Sequence, residues 1–208
     1  MARPADHDKR RDLARAAVEV LQREGTDLAM AGLAEALGLK RPTLLYHFPT
    51  KGHILELALV DLLTEQAQHV LEKVADYTHP IDRLYAHMRA IHGFHHGHEG
   101  RLVFLTQAIA ATAGARLPAI LEAGALVFEL QRADIVERIR VGIRDGTVAP
   151  CNPEALFACV RALVDGLMVQ QFISRRSLGP AHDFVWEHVL VPLKTAAPSA
   201  QTKRAQTT

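Results

Sequence analysis

Pro and Gly punctuate this chain between segments whose apolar residues recur at helical spacing, and no stretch of β-type alternation is flanked by turn signals. That pattern confines the fold to the all-α class. Leu13, Ala17, Val20 and Leu21 share one stripe, which predicts a first helix from about Asp8 to Glu24, ended by Gly25. Two short helices follow: Met30–Leu37, stopped by Gly38, and Arg41–His47, with Pro42 placed early where its missing N–H costs little. Thr50 is placed to cap a long helix reaching about Ala75, with Ile54, Leu55, Ala58, Leu59, Leu62 and Leu63 on its apolar side. Beyond it the pattern predicts helices at roughly Pro80–His96, Gly100–Ala113, Leu117–Arg144, Pro153–Ser174 and Pro180–Leu193. Leu102–Ala113 is apolar nearly all round and suits the centre of a bundle, whereas the small, polar composition from Thr195 onward predicts a disordered tail.

A chain of 208 residues, 49% of them hydrophobic, can bury a core as one ordinary domain or two small ones. Only Cys151 and Cys159 are present, so no disulfide framework is expected and the composition reads as cytoplasmic. Cys159 is expected in the core and Cys151 in a loop. No apolar run reaches the roughly 18 residues that a membrane span needs, and the first ten residues are too polar for a signal peptide.

The function is carried by residues 30–47, which read as two short helices joined at Gly38 and preceded by a longer one, the spacing of a helix-turn-helix. Two helices and a Gly also occur in ordinary bundles. The second helix adds chemistry to the spacing, because Lys40, Arg41, Thr43, Tyr46, His47 and Lys51 crowd cations and hydrogen-bond donors around barely two turns, while Leu44, Leu45 and Phe48 can anchor it. Such a helix fits the major groove, with its N-terminal residues at base edges and its flanks at phosphates. The net charge of +1 does not oppose this reading, since Lys40, Arg41 and Lys51 flank a second helix, Arg41–His47, that contains no carboxylate.

The run from Leu33 to Lys51 resembles the DNA-binding signature of the tetracycline-repressor (TetR) family of bacterial transcriptional regulators. The resemblance extends over about residues 8–193 through the long connecting helix, the all-helical remainder and the late Asp165-Gly166-Leu167 followed by Gln170 and Gln171. It implies a helix-turn-helix domain at residues 1–48, a ligand-binding and dimerisation bundle at 49–195 and a tail at 196–208. It also implies a homodimer whose Arg41–His47 helices enter successive major grooves of an inverted-repeat operator. Base contacts carry over to Lys40, Arg41, Pro42 and Thr43, and a phosphate contact to Lys51. Two departures from the family pattern stand out: Leu45 occupies the usual Tyr position with Tyr46 one place later, and Ala29 and Met30 stand where a Ser or Thr cap is usual, unless Asp27 supplies it.

The resemblance further implies a small-molecule effector, read here as largely apolar, that releases the operator, with no cofactor and no enzymatic activity. His92, Phe94, His95, Phe104 and Gln107 are the candidates to line its pocket. An alternative places a metal ion on His92, His95 and His96, because His92 and His96 at i, i+4 can share a cation; a His-rich metal-dependent enzyme is a further one. The dimer face is expected on two late stripes with their close-approach glycine, Val160, Val164, Gly166 and Leu167, then Val185, Val189 and Leu193, which could equally pack within one chain.

Overall fold

The computed structural model describes residues 4–112 and 117–195, and the expected tail lies outside them. The helices are α1 (Pro4–Glu24), α2 (Met30–Ala36), α3 (Arg41–His47), α4 (Lys51–Val74), α5 (Pro80–His95), α6 (Glu99–Thr112), α7 (Leu117–Arg144), α8 (Pro153–Ser174) and α9 (Gly179–Val185). Among the described residues the one extended pairing is an isolated antiparallel bridge between Val148 and Lys194. The all-α expectation therefore holds, with helix ends within a few residues of those read from the pattern. The last helix departs most: after Val185 the chain widens into a π turn at Trp186–Leu190 and tightens into a 3-10 turn at Val191–Leu193. Pro192 supplies the reason, since it has no N–H to continue an α-helical ladder.

The chain divides into two compact units, residues 1–65 with 100–127 and residues 66–99 with 128–208. In the first unit Ala14, Ala17, Val18 and Leu21 form the buried stripe of α1, and Ile54, Leu55, Ala58 and Leu62 that of α4. The stripe on α6 is narrower than the sequence implied: Leu105, Ala108 and Ile109 are buried, but Thr106, Gln107, Ala110 and Ala111 are exposed. Its all-round apolarity comes from alanines, which are small enough to sit in water at little cost.

One buried carboxylate ties α1 to α4. Asp61 is 7% exposed and takes Arg11, as well as Arg15 at 3.1 Å, while Arg15 also reaches Glu65 at 2.6 Å. Asp61 raises the Arg11 pKa above its ordinary value by hydrogen bond and charge together. Replacing Asp61 with Ala removes a charge-assisted bond from each arginine and is expected to destabilise the first unit by about 1.5–3 kcal/mol, read as a lowered urea midpoint. An unchanged midpoint would mean that water replaces the pair without loss.

The second unit is built around α5, whose Ile81, Leu84, Met88 and Ile91 meet Val70 and Val74 of α4, Ile135 and Ile139 of α7, and Val160 and Val164 of α8. Both ends of this packing are capped by side chains. His79 accepts from the Ile81 N–H at Nδ1 and donates from Nε2 to the Thr147 carbonyl, while Asn152 Oδ1 accepts from the Ala155 N–H at 3.0 Å.

The buried face of α8 is Val160, Val164 and Met168, at i, i+4 and i+8. The opposite face carries Cys159, Leu163, Gly166, Val169 and Ile173, all exposed. The expectation for the two cysteines is thereby reversed: Cys159 falls on the uncovered side, while Cys151 is half-buried and packs against the core. Burial shifts the Cys151 thiol pKa upward. The expectation that no apolar run reaches the length of a membrane span does not hold for α8, where an 18-residue window is long and apolar enough by composition and 17% of it is buried. Arg161 and Asp165 form an ion pair in mid-helix, which a hydrocarbon environment would penalise.

Candidate nucleic-acid interface

The helix-turn-helix is held from beneath by apolar side chains. Leu33 and Ala34 of α2, Leu44 of α3 and Phe48 just after it are each at most 1% exposed, so these two short helices are fixed by packing and not by their own marginal helicity. The turn between them needs Gly38, whose φ of 67° lies in the left-handed region where a Cβ is strained. Arg10 of α1 lies over the Phe48 ring at 5.1 Å and covers the end of α3. Ala29 occupies the N-cap of α2 with no side-chain bond, so the cap is lost and Asp27 does not supply it.

What this packing leaves outside is the predicted reading surface. Lys40, Arg41, Pro42 and Thr43 are all exposed at the start of α3, and Tyr46 is 80% exposed. No acidic residue stands in the first turn, and Lys40 at the N-cap makes no side-chain cap bond. The N-terminus of α3 thus presents two cations, a hydroxyl and the positive end of the helix dipole on one side. The Leu45 departure resolves simply: Leu45 is half-buried and Tyr46 projects outward, packed edge-on against the His47 ring at 5.3 Å.

Lys51 has a use that the sequence did not reveal. Its Nζ donates to the Thr26 carbonyl at 2.6 Å, tying the start of α4 to the loop between α1 and α2. An ammonium has three donors, so this bond leaves two. Nearby, Thr50 Oγ1 and His53 Nδ1 are 2.8 Å apart across the first turn of α4.

Residues 13–58 match the profile of the bacterial regulatory proteins, tetR family, an interval that begins in α1 and contains all of α2 and α3. The chain carries a tetR-family domain over those residues. Its helix-turn-helix is the DNA-binding element of a transcriptional regulator. No curated protein matches the sequence. Solved structures do match its fold: the fatty acid degradation regulator FadR from Bacillus halodurans at TM-score 0.68 and 14% identity, covering 91% of this chain and 98% of that one. A protein of Saccharomonospora viridis solved in complex with choline matches at TM-score 0.66 and 21% identity, covering 88% and 97%. The ketosteroid regulator KstR2 of Mycobacterium tuberculosis matches at TM-score 0.60 and 18% identity, covering 90% and 96%.

The candidate ligand residues are divided between the two units. Phe104 and Gln107 belong to the first, where Phe104 is half-buried and Gln107 exposed. His92, Phe94 and His95 belong to the second. His95 is 2% exposed and donates from Nε2 to Gln66 Oε1 at 2.6 Å, and Phe94 lies 5.5 Å from the His69 ring.

Both ring nitrogens of His92 are committed, and their roles follow from one fact. The Val164 carbonyl can only accept, so His92 Nε2 carries the proton and donates to it at 2.9 Å. His92 Nδ1 is then an acceptor, and His182 Nε2 donates to it at 2.7 Å with the rings stacked. Burial lowers the His92 pKa, while burial, His92 and Arg89 push His182 down to about 4. The pair is neutral near pH 7. His96 turns away to the surface, where Gln171 lies at 3.3 Å. The structure therefore does not bring His92, His95 and His96 together around one point, and among the described residues no group of three metal-ligating side chains converges.

The expected dimer residues also separate. Val160, Val164 and Val185 are buried in the core of the second unit, Leu167 and Leu193 are half-buried, and Gly166 and Val189 are exposed.

Proposed function

We propose that this chain is a cytoplasmic, homodimeric repressor, without enzymatic activity, that reads an inverted-repeat operator through Lys40, Arg41, Pro42 and Thr43 and releases it when a small molecule binds the second unit. The observation that carries the reading is the N-terminal end of α3, exposed and free of acidic residues, above a side fixed by Leu44 and Phe48. Its chemistry is that of phosphate and base-edge recognition. Release is a population shift: the effector must bind more tightly to the conformation that does not fit DNA.

Dimerisation is assigned to the uncovered face of α8, Leu163, Gly166, Val169 and Ile173, joined by Phe184 and Val189, in place of the buried Val160, Val164 and Val185. Ile173 is 75% exposed and Phe184 61%, more than single surface apolar residues explain when they recur at helical spacing. A second copy covers such a face in the manner that reading a palindrome requires. The effector is assigned to the second unit because two of its cavities lie along α5.

The test is a gel shift with DNA flanking the gene. Binding should be saturable, confined to an inverted repeat, and weaker as salt rises, because cations on α3 displace counterions from phosphate. The Ile173→Asp chain should run as a monomer on size exclusion and lose that binding. Sequence-independent binding, or a monomeric native chain that still binds the repeat, would overturn the reading.

A further inference from the structure

The charged side chains around one cavity of the second unit are all of one sign. A cavity of about 520 Å³ lies between the ends of α5 and α8 and the start of α9, lined by Arg89, Arg175, Arg176, His96, His182 and Ser177 among others, with no carboxylate in its wall. None of the three arginines forms an ion pair among the described residues. Arg89 instead lies over the Tyr85 ring at 5.8 Å. The opposing charges stand outside the lining: Glu99, whose Oε1 lies 3.8 Å from His96 Nδ1, and Asp183 and Asp165, which act on His182 and His92. Arg175 also holds a φ of 54°, a left-handed conformation that glycine would adopt without strain. It is the C-cap of α8, where a left-handed residue ends the helix and a cation meets the negative end of its dipole.

A second cavity, about 680 Å³, shares Arg89 and Gly93 with the first. Its wall is aromatic: Tyr77, Tyr85 and Trp186, with the Tyr85 and Trp186 rings 4.7 Å apart. The other charges here cancel in part, since Lys194 pairs with Asp82 at 2.6 Å. The two cavities therefore offer a basic end and an aromatic end that meet at Arg89 and Gly93. An amphiphile with an anionic head fits this arrangement.

We propose that these adjoining cavities together take an organic oxyanion, its phosphate or carboxylate held by Arg89, Arg175 and Arg176 and its apolar, planar portion laid against Tyr77, Tyr85 and Trp186. This identifies the class of the effector and so rests on the regulator reading above. It replaces the largely apolar molecule expected from the sequence with a charged one. Guanidinium groups bind such oxyanions in bidentate fashion, and three around one cavity make the anion the obligatory part of the ligand.

Gly93 gives a test that spares the fold. A Cβ built there meets nothing within 4 Å, and replacing a helix-interior glycine favours the helix. Gly93→Leu should therefore fold normally while projecting a bulky side chain from the wall that both cavities share. The probe is anilinonaphthalene sulfonate, an aromatic ring system bearing an oxyanion, and Trp186, the single Trp of the chain, reports its arrival by energy transfer. The full chain should bind the probe saturably, with pyrophosphate or succinate competing according to whether phosphate or carboxylate is preferred. Arg89→Ala and the paired change Arg175→Ala with Arg176→Ala should each weaken binding by about tenfold or more, and Gly93→Leu should abolish it. Energy transfer that is absent in the native chain, or unchanged in all three variants, overturns the proposal. Gel shifts on the same preparations keep the two readings apart: a working anion site on a chain that binds no inverted repeat would sink the regulator and leave the site, and the reverse would sink only the site.

Discussion

The Arg41→Ala chain is expected to bind its inverted repeat about 2–6 kcal/mol less tightly than the native chain, because a base contact of about 1–3 kcal/mol is lost in each of two half-sites. Arg41 is the first residue of α3, exposed, and forms no ion pair among the described residues. Its guanidinium is available for a bidentate contact in the major groove. The same position makes the change harmless to the fold, since Leu44 and Phe48 hold the helix and Pro42 sets its first turn. Thermal melting should therefore stay close to that of the native chain. A comparison of operator with scrambled DNA distinguishes a base contact from a phosphate contact: Arg41→Ala should erase much of the difference between them, whereas a lost phosphate contact lowers both equally. Equal losses would move Arg41 from the bases to the backbone. Thr43→Val, which removes a donor and keeps the shape, should alter preference among sequences without the full loss.

The reading head was legible because its determinants are local. Gly38, the anchors Leu44 and Phe48, and the cations between them lie within a few residues of one another, so spacing alone specifies which side is held and which is free. The dimer face was not legible in the same way. Periodicity places Val160 and Val164 on one stripe and Leu163, Gly166 and Ile173 on another, but both stripes are apolar. Which one turns inward depends on what α5 and α7 offer opposite it. Contacts distant in sequence were equally hidden: Asp61 meets Arg11 across 50 residues, and His92 meets His182 across 90. Nothing near His92 in sequence announces that its partners are a carbonyl of α8 and a ring of α9, and a metal ligand was the natural alternative for a histidine read without them. Lys51 shows the same limit at shorter range, since the bond to the Thr26 carbonyl depends on how a loop closes and not on a residue pattern.

These long-range histidine contacts lead to the second large effect, a loss of stability in mild acid that starts from His87. The side chain is 5% exposed, its ring lies 6.4 Å from Phe157, and burial, then Arg161 and Arg83, hold its pKa at about 4. In the unfolded chain the same group titrates near 6.5. Above that value both states are neutral and His87 contributes no pH dependence. As pH falls from 6.5 toward 4 the unfolded chain binds a proton that the folded chain refuses, so stability declines, and below about 4 both states are protonated and the decline levels off. The expected loss from His87 alone is about 2 kcal/mol at about pH 5. His92 and His182 are shifted the same way and add to it, with His182 contributing less than its shift implies because it is partly exposed. Gln at position 87 keeps a polar side chain that cannot titrate, and its own effect on stability is present at every pH. Urea unfolding of the native and His87→Gln chains at about pH 7.5 and about pH 5 therefore isolates the proton, and the native chain should lose about 2 kcal/mol more than the variant between the two. Equal losses would show that His87 accepts its proton in the folded state, which the two neighbouring arginines and the burial of the ring oppose.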